Sequence, residues 1–253
     1  MQIEKFKKDK GNKYKVYFDD NTIITLYDDV IVKFNLLINK KFDVNFYNEI
    51  VGYNGFLDGY YKAIKYINTK MRCEKEIKKY LNKLCINNEN IDKIIELLYK
   101  ERYLDNERYL KAFINDQYNL TVNGPLKVKK SLNDLGYLDS EINDYLYDLD
   151  WNSRIRNIIL KKIKLNHKLS NNALKSKIIN DIIKLGYERD VIIDILNNIF
   201  IDSDVDILKK EMSKIKNKYS LKYVDNELEY KVVNYLYKKG FKLEDIKRCY
   251  DEN

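Results

Sequence analysis

Apolar positions recur along this chain on a beat of about fifty residues. Ile77, Val128, Ile178 and Val232 each open a helix-length stripe, and Leu81, Leu132, Ile182 and Leu236 follow four positions later. Leu84, Leu135 and Leu185 extend three of these stripes, and a turn residue then ends each copy: Cys85, Gly136, Gly186 and Gly240. An apolar or aromatic side chain follows at once (Ile86, Tyr137, Tyr187, Phe241), and six positions past the turn residue stands an isoleucine every time: Ile91, Ile142, Ile192 and Ile246. The steps between turn residues (85, 136, 186, 240) are 51, 50 and 54 residues, the mark of a helical repeat array.

Apolar residues at i, i+4 and i+7 make one helical stripe, and a glycine just after it takes the left-handed conformation that ends a helix. Positive φ is therefore expected at Gly136, Gly186 and Gly240, with alanine at Gly136 or Gly186 costing about 1 kcal/mol or more. Asp139, Glu188 and Glu244 lie at or near the start of the next helix, where a carboxylate suits the dipole. A third helix fills the rest of each period, around Tyr61 and Ile64, Tyr109 and Phe113, Ile155 and Ile159, and Leu208 and Met212. The expected fold is mainly α, with tandem three-helix repeats in an elongated array over about 58–100, 101–150, 151–200 and 201–253. A four-helix bundle with extra helices is the alternative. Lys239 replaces the leucine of the other copies, as expected of a terminal repeat whose outer face meets water.

Ahead of the array the period changes to two. Tyr14 to Phe18 and Thr22 to Tyr27, rich in β-branched and aromatic residues around Asp19-Asp20-Asn21, read as a β-hairpin. Gln2 to Lys7 is expected to add a strand, and Asp28 to Leu37 a covering helix, because a lone hairpin is marginal in water. The chain is expected to loosen at Gly52, Gly55 and Gly59, which puts the end of this β-containing segment near residue 57.

No run approaches the roughly 18 apolar residues of a membrane span, and the N-terminus lacks the apolar core of a signal peptide. Cys73, Cys85 and Cys249 are scattered, as expected of reduced thiols, so the expected location is cytoplasmic. One histidine, His167, offers no zinc site. There is no phosphate loop, nucleophile elbow or base for a cysteine or serine nucleophile, so no cofactor and no enzyme activity is expected.

Net charge is +8 with a pI near 9.0, but enrichment of Lys together with Asn, Ile and Tyr is what AT-rich codons produce. Distribution is more informative than the total. Residues 151–180 carry Arg154, Arg156, Lys161, Lys162, Lys164, Lys168, Lys175 and Lys177 and no Asp or Glu. On a helix, Arg154, Asn157, Lys161, Lys164 and Lys168 fall on one stripe backed by Ile155, Ile158, Ile159 and Ile163, suited to phosphates or an acidic protein groove. A second block, Lys65, Lys70, Arg72, Lys75, Lys78, Lys79 and Lys83, is diluted by Glu74 and Glu76.

The stretch Arg102-Tyr103-Leu104-Asp105-Asn106-Glu107-Arg108-Tyr109, then Phe113, Gly124-Pro125, Val128, Leu132 and Gly136-Tyr137, resembles the central motif of the RecX family, regulators of the RecA recombinase. Arg72 to Ile77 with Leu81 resembles the start of that family's first repeat. Departures are Asn106 in place of an acid, no basic residue near Asn115 to Gln117, and Cys73 in place of a hydroxyl residue that would form a capping box with Glu76, a difference of about 1 kcal/mol.

The resemblance implies a non-catalytic protein that binds the RecA filament on single-stranded DNA, in its groove, and inhibits recombination, with roles in DNA repair and the SOS response. The partners it implies are RecA and single-stranded DNA, with double-stranded DNA a further candidate; the expected state is a monomer, with no membrane partner. Candidate contact residues are the 151–180 cations together with Arg102, Arg108, Lys127 and Lys130. Two other readings stay open: a repeat protein that binds DNA without recombinase, and a helical adaptor.

Overall fold

The computed structural model describes residues 1–252 and divides into two compact units, residues 1–111 and 112–253. In the first unit the expected hairpin is the second half of an antiparallel meander, β1 (Ile3–Lys8), β2 (Lys13–Phe18) and β3 (Ile23–Tyr27), in the order β1-β2-β3. Val16 stands opposite Phe6 on one side and Ile24 on the other. Asn21 takes φ 65° in the turn, a conformation Asn tolerates better than most residues. The pleat alternates Val16 and Phe18 inward with Lys15 and Tyr17 outward.

Two helices cover that sheet, α1 (Asp28–Lys33) and α2 (Val44–Ile67). Asp43 caps α2 by accepting the Phe46 N–H at 2.8 Å. Farther along α2, Asn54 accepts the Tyr27 N–H and donates to the Thr25 carbonyl, each at 3.1 Å, so its amide occupies backbone groups of β3. Asp58, one turn on, takes Tyr27 Oη at 2.8 Å, Lys13 at 3.0 Å and Lys62 at 2.7 Å. Burial pushes the Asp58 carboxyl up, but these donors outweigh it and hold it at about 2.

The glycines expected to loosen the chain are helical instead, and the segment end expected near residue 57 falls inside α2. Gly59 has a packing reason, since a Cβ there would lie 2.9 Å from Ile94 Cδ1. The helix survives its glycines because Ile50, Leu57, Tyr60 and Ala63 are buried along one side. Sheet, α1, α2, α3 (Glu74–Lys83) and α4 (Asn88–Lys100) share one core running from Ile3 through Ile77, Leu81 and Ile91 to Leu104. Cys85 ends the first copy where the others have glycine. It takes the same left-handed conformation, at φ 58°.

The remaining helices follow the expected threes: α5 (Asn106–Leu120), which crosses the unit boundary, α6 (Pro125–Leu135) and α7 (Asp139–Tyr147); α8 (Trp151–Lys164), α9 (Asn171–Lys184) and α10 (Arg189–Asn197); α11 (Val205–Tyr219), α12 (Asp225–Lys238) and α13 (Leu243–Asp251). The recurrent residues Val128, Ile142, Ile178, Ile192, Val232 and Ile246 are buried. Gly136, Gly186 and Gly240 have φ of 102°, 92° and 89°.

Two of these glycines also join modules. The Gly186 turn sits on the N-terminus of α6, where Gly124 N–H donates to the Leu185 carbonyl at 2.7 Å and Leu126 N–H to the Gly186 carbonyl at 3.0 Å. Orphan donors at one helix start thus meet orphan acceptors at another helix end, with their dipoles head to tail. The Gly240 turn sits likewise on α9: Ser170 Oγ donates to the Lys239 carbonyl at 2.7 Å and Asn172 Nδ2 to the Gly240 carbonyl at 3.0 Å. Lys239 does not simply meet water. It is half-buried, paired with Glu211 and placed 4.8 Å over the Tyr235 ring, both of its own module. No helix among the described residues is long and apolar enough to cross a membrane.

Candidate basic interaction surface

Helix α8 carries five cations of the acid-free stretch, Arg154, Arg156, Lys161, Lys162 and Lys164. Asp150 caps it, accepting the Ser153 N–H at 2.9 Å. Ile155 and Ile159 are buried against the module core, while Arg156, Asn157, Leu160, Lys161 and Lys164 are exposed. The helix stops at Lys164, so Lys168 does not continue the stripe. It lies in the following loop, which Asn166 organises by accepting the Leu169 N–H at 3.0 Å and donating to the Leu169 carbonyl at 2.9 Å.

Arg154 does not belong to the exposed face on which the sequence pattern put it. Its guanidinium donates to the carbonyls of Tyr118 and Thr121 at the end of α5, and its Cζ lies 4.6 Å from the centre of the Tyr118 ring. Trp151 packs edge-on against Tyr118 at 5.0 Å and against Tyr187 at 6.1 Å. This group is a joint between α5, α8 and the Gly186 turn. Burial pushes the Tyr187 hydroxyl up, opposed by the neighbouring Arg154 charge.

Other expected contact residues divide in the same way. Lys162 pairs with Asp181 at 2.7 Å and holds that carboxyl below its ordinary value. Lys175 is half-buried and Lys177 exposed on α9. Lys127 and Lys130 are exposed on α6, whereas Lys129 between them pairs with Asp139 at 2.9 Å. Arg102 occupies the left-handed position just past α4, at φ 61°, and Arg108 lies exposed in the first turn of α5, its N–H donating to Asp105 at 2.9 Å. The second lysine block is spent in part on ion pairs. Arg72 and Lys70 meet Glu76 at 3.0 and 3.7 Å, and Lys78 meets Glu74 at 2.9 Å and Asp92 at 3.4 Å. Glu76 also accepts the Cys73 N–H at 3.2 Å, so half of the capping box survives without a hydroxyl.

The cations of the second unit with no carboxylate at ion-pair distance among the described residues therefore include Arg156, Lys161, Lys164, Lys168 and Lys177. At longer range Lys177 and Lys168 still help to hold the Asp181 and Glu211 carboxyls below their ordinary values, after the paired Lys162 and Lys239.

No family model matches the chain. It is 30% identical over 258 residues to the regulatory protein RecX of Staphylococcus aureus strain JH9, spanning 100% of this chain and 94% of that protein, and equally to RecX of strain Newman. The chain belongs to the RecX family. A crystal structure of regulatory protein RecX superposes with a TM-score of 0.65 at 20% identity, over 76% of this chain and 98% of that one. RecX from Lactobacillus salivarius gives a TM-score of 0.51 at 22% identity, over 57% and 96%. These structures share the fold.

Most residues that carried the RecX resemblance in the sequence are framework. Leu104 and Tyr109 are buried, Asp105 caps the first turn of α5, and Gly124-Pro125 forms the seat of the Gly186 turn. Sequence reasoning missed Leu160 and Leu165, exposed leucines beside the free cations of α8. The signal was present, since Arg156, Leu160 and Lys164 are spaced by four.

Proposed function

We propose that this RecX-family chain is a non-catalytic regulator of the RecA recombinase. It binds the RecA filament on single-stranded DNA through the acid-free basic face of residues 156–177, lodges in the filament groove and inhibits ATP hydrolysis and strand exchange. The observation that carries the reading is that face: Arg156, Lys161, Lys164, Lys168 and Lys177, without carboxylates at ion-pair distance among the described residues, in a chain that aligns with RecX over its full length. Arg102, Arg108, Lys127 and Lys130 serve as further contacts. The chain acts as a cytoplasmic monomer, and its tandem modules allow many weak contacts to add through effective concentration.

Co-sedimentation with RecA filaments on oligo-dT, together with RecA ATPase rates, tests this reading. Pelleting with filaments and a falling ATPase rate support it; an unbound chain and an unchanged rate overturn it. The same acid-free face also favours a DNA-binding repeat protein that needs no recombinase. That reading predicts bare-DNA affinity that falls steeply with salt and gains nothing when RecA is present.

A further inference from the structure

The exposed half of α8 is not uniformly basic. Advancing about 100° per residue, Arg156, Leu160, Lys164, Asn157, Lys161 and Leu165 sweep that half in angular order, opposite the buried Ile155 and Ile159. Leu160 is 44% exposed and Leu165 67% exposed. Neither belongs to the module core, which closes over Ile155, Ile159, Ile178 and Ile182, although Leu165 borders a cavity with Leu174 and Ile178. The face thus sets aliphatic side chains among cations that have no carboxylate at ion-pair distance among the described residues.

That mixture discriminates between two acidic partners. A surface that tracks single-stranded DNA combines cations with aromatic rings on which bases stack, and the α8 face has no ring to offer. Its one aromatic residue, Trp151, is turned inward against Tyr118 and Tyr187. Against a phosphate backbone both leucines stay unburied. Against a protein surface they gain the apolar centre that such interfaces have, with arginine and lysine at its margin. We infer that the α8 face docks on the recombinase protein rather than on the DNA, on a surface where carboxylates surround an apolar centre. This inference rests on the functional reading above and adds which component of the filament this face meets.

The test uses the full chain with Leu160→Asn and Leu165→Asn together, which leaves its charge unchanged. Binding is measured to RecA filaments preformed on oligo-dT and, separately, to fluorescein-labelled oligo-dT alone. The expected result is about tenfold weaker filament binding with bare-oligonucleotide binding unaltered. Undiminished filament binding by the folded variant overturns the inference and leaves the functional reading standing. Equal loss on filament and bare DNA also overturns it, because the face then reads nucleic acid. Failure of the unaltered chain to bind filaments removes the functional reading and this inference together. If the double variant melts early, Leu160→Ala and Leu165→Ala made singly give the same comparison.

Discussion

Alanine at two glycines with nearly the same φ has very different expected costs. Gly136 and Gly186 have φ of 102° and 92°, so a Cβ strains either turn by about 1 kcal/mol. At Gly136 that is the whole effect, because nothing lies within 4 Å of the added carbon. At Gly186 the carbon would fall 2.6 Å from Lys127 N and 2.5 Å from Lys127 Cβ, and backbone cannot swing aside as a side-chain tip does. Relief requires the turn to lift off α6, which breaks the Gly124-to-Leu185 and Leu126-to-Gly186 hydrogen bonds, each contributing about 1 kcal/mol. Gly186→Ala is therefore expected to destabilise the second unit by about 3 kcal/mol and Gly136→Ala by about 1 kcal/mol. Urea unfolding followed by fluorescence of Trp151, the only tryptophan, reads the unit directly. Equal costs at the two sites, or a larger cost at Gly136, would refute the role of the Gly186 turn as a module joint.

Other expected outcomes follow from single groups. Arg154→Ala should lower the stability of the second unit by about 2 kcal/mol, since two carbonyls lose a charged donor, whereas Lys161→Glu and Lys164→Glu should each shift it by less than about 0.5 kcal/mol; parallel Trp151 melts check the contrast. Cys85→Gly should stabilise the first unit by up to about 1 kcal/mol in urea titrations, because Cys85 holds φ 58° with a Cβ. Asp58 has its folded value depressed from 3.8 to about 2, so its contribution is present above pH 4 and is lost as pH falls toward 2. Thermal melts of the first unit's β-sheet signal between pH 5 and pH 2.5 should show a loss on the order of 1–2 kcal/mol that Asp58→Asn abolishes.

The beat of the modules was legible because it rests on local physics. Val128, Leu132 and Leu135 make a stripe only as a helix, and Gly136 stops it whatever packs nearby. Cys85 shows the limit of the residue code: helix end and apolar stripe imposed the left-handed turn on a residue that carries a Cβ. The 24-residue span of α2 was hidden by Gly52, Gly55 and Gly59, since local propensity counts against the helix while the buried side of Ile50, Leu57 and Tyr60 decides for it. Among the cations, the acid-free stretch itself was visible, but its division into joint and surface was not. Arg154 and Arg156 are alike in the sequence. Only the carbonyls left open at the end of α5, brought beside α8 by the fold, draw Arg154 inward and leave Arg156 outside.

The exposed cations of α8 are proposed to hold the filament, and their loss to end inhibition. The most direct measurement is the rate of RecA ATP hydrolysis on single-stranded DNA, titrated with the unaltered chain and with the triple variant Arg156→Glu, Lys161→Glu and Lys164→Glu, Arg154 being left in place. The expected result is inhibition by the unaltered chain and none by the variant at the same concentrations, with both showing the same Trp151 unfolding midpoint. Full inhibition by the folded triple variant would contradict it and reduce the α8 face to a solvated surface.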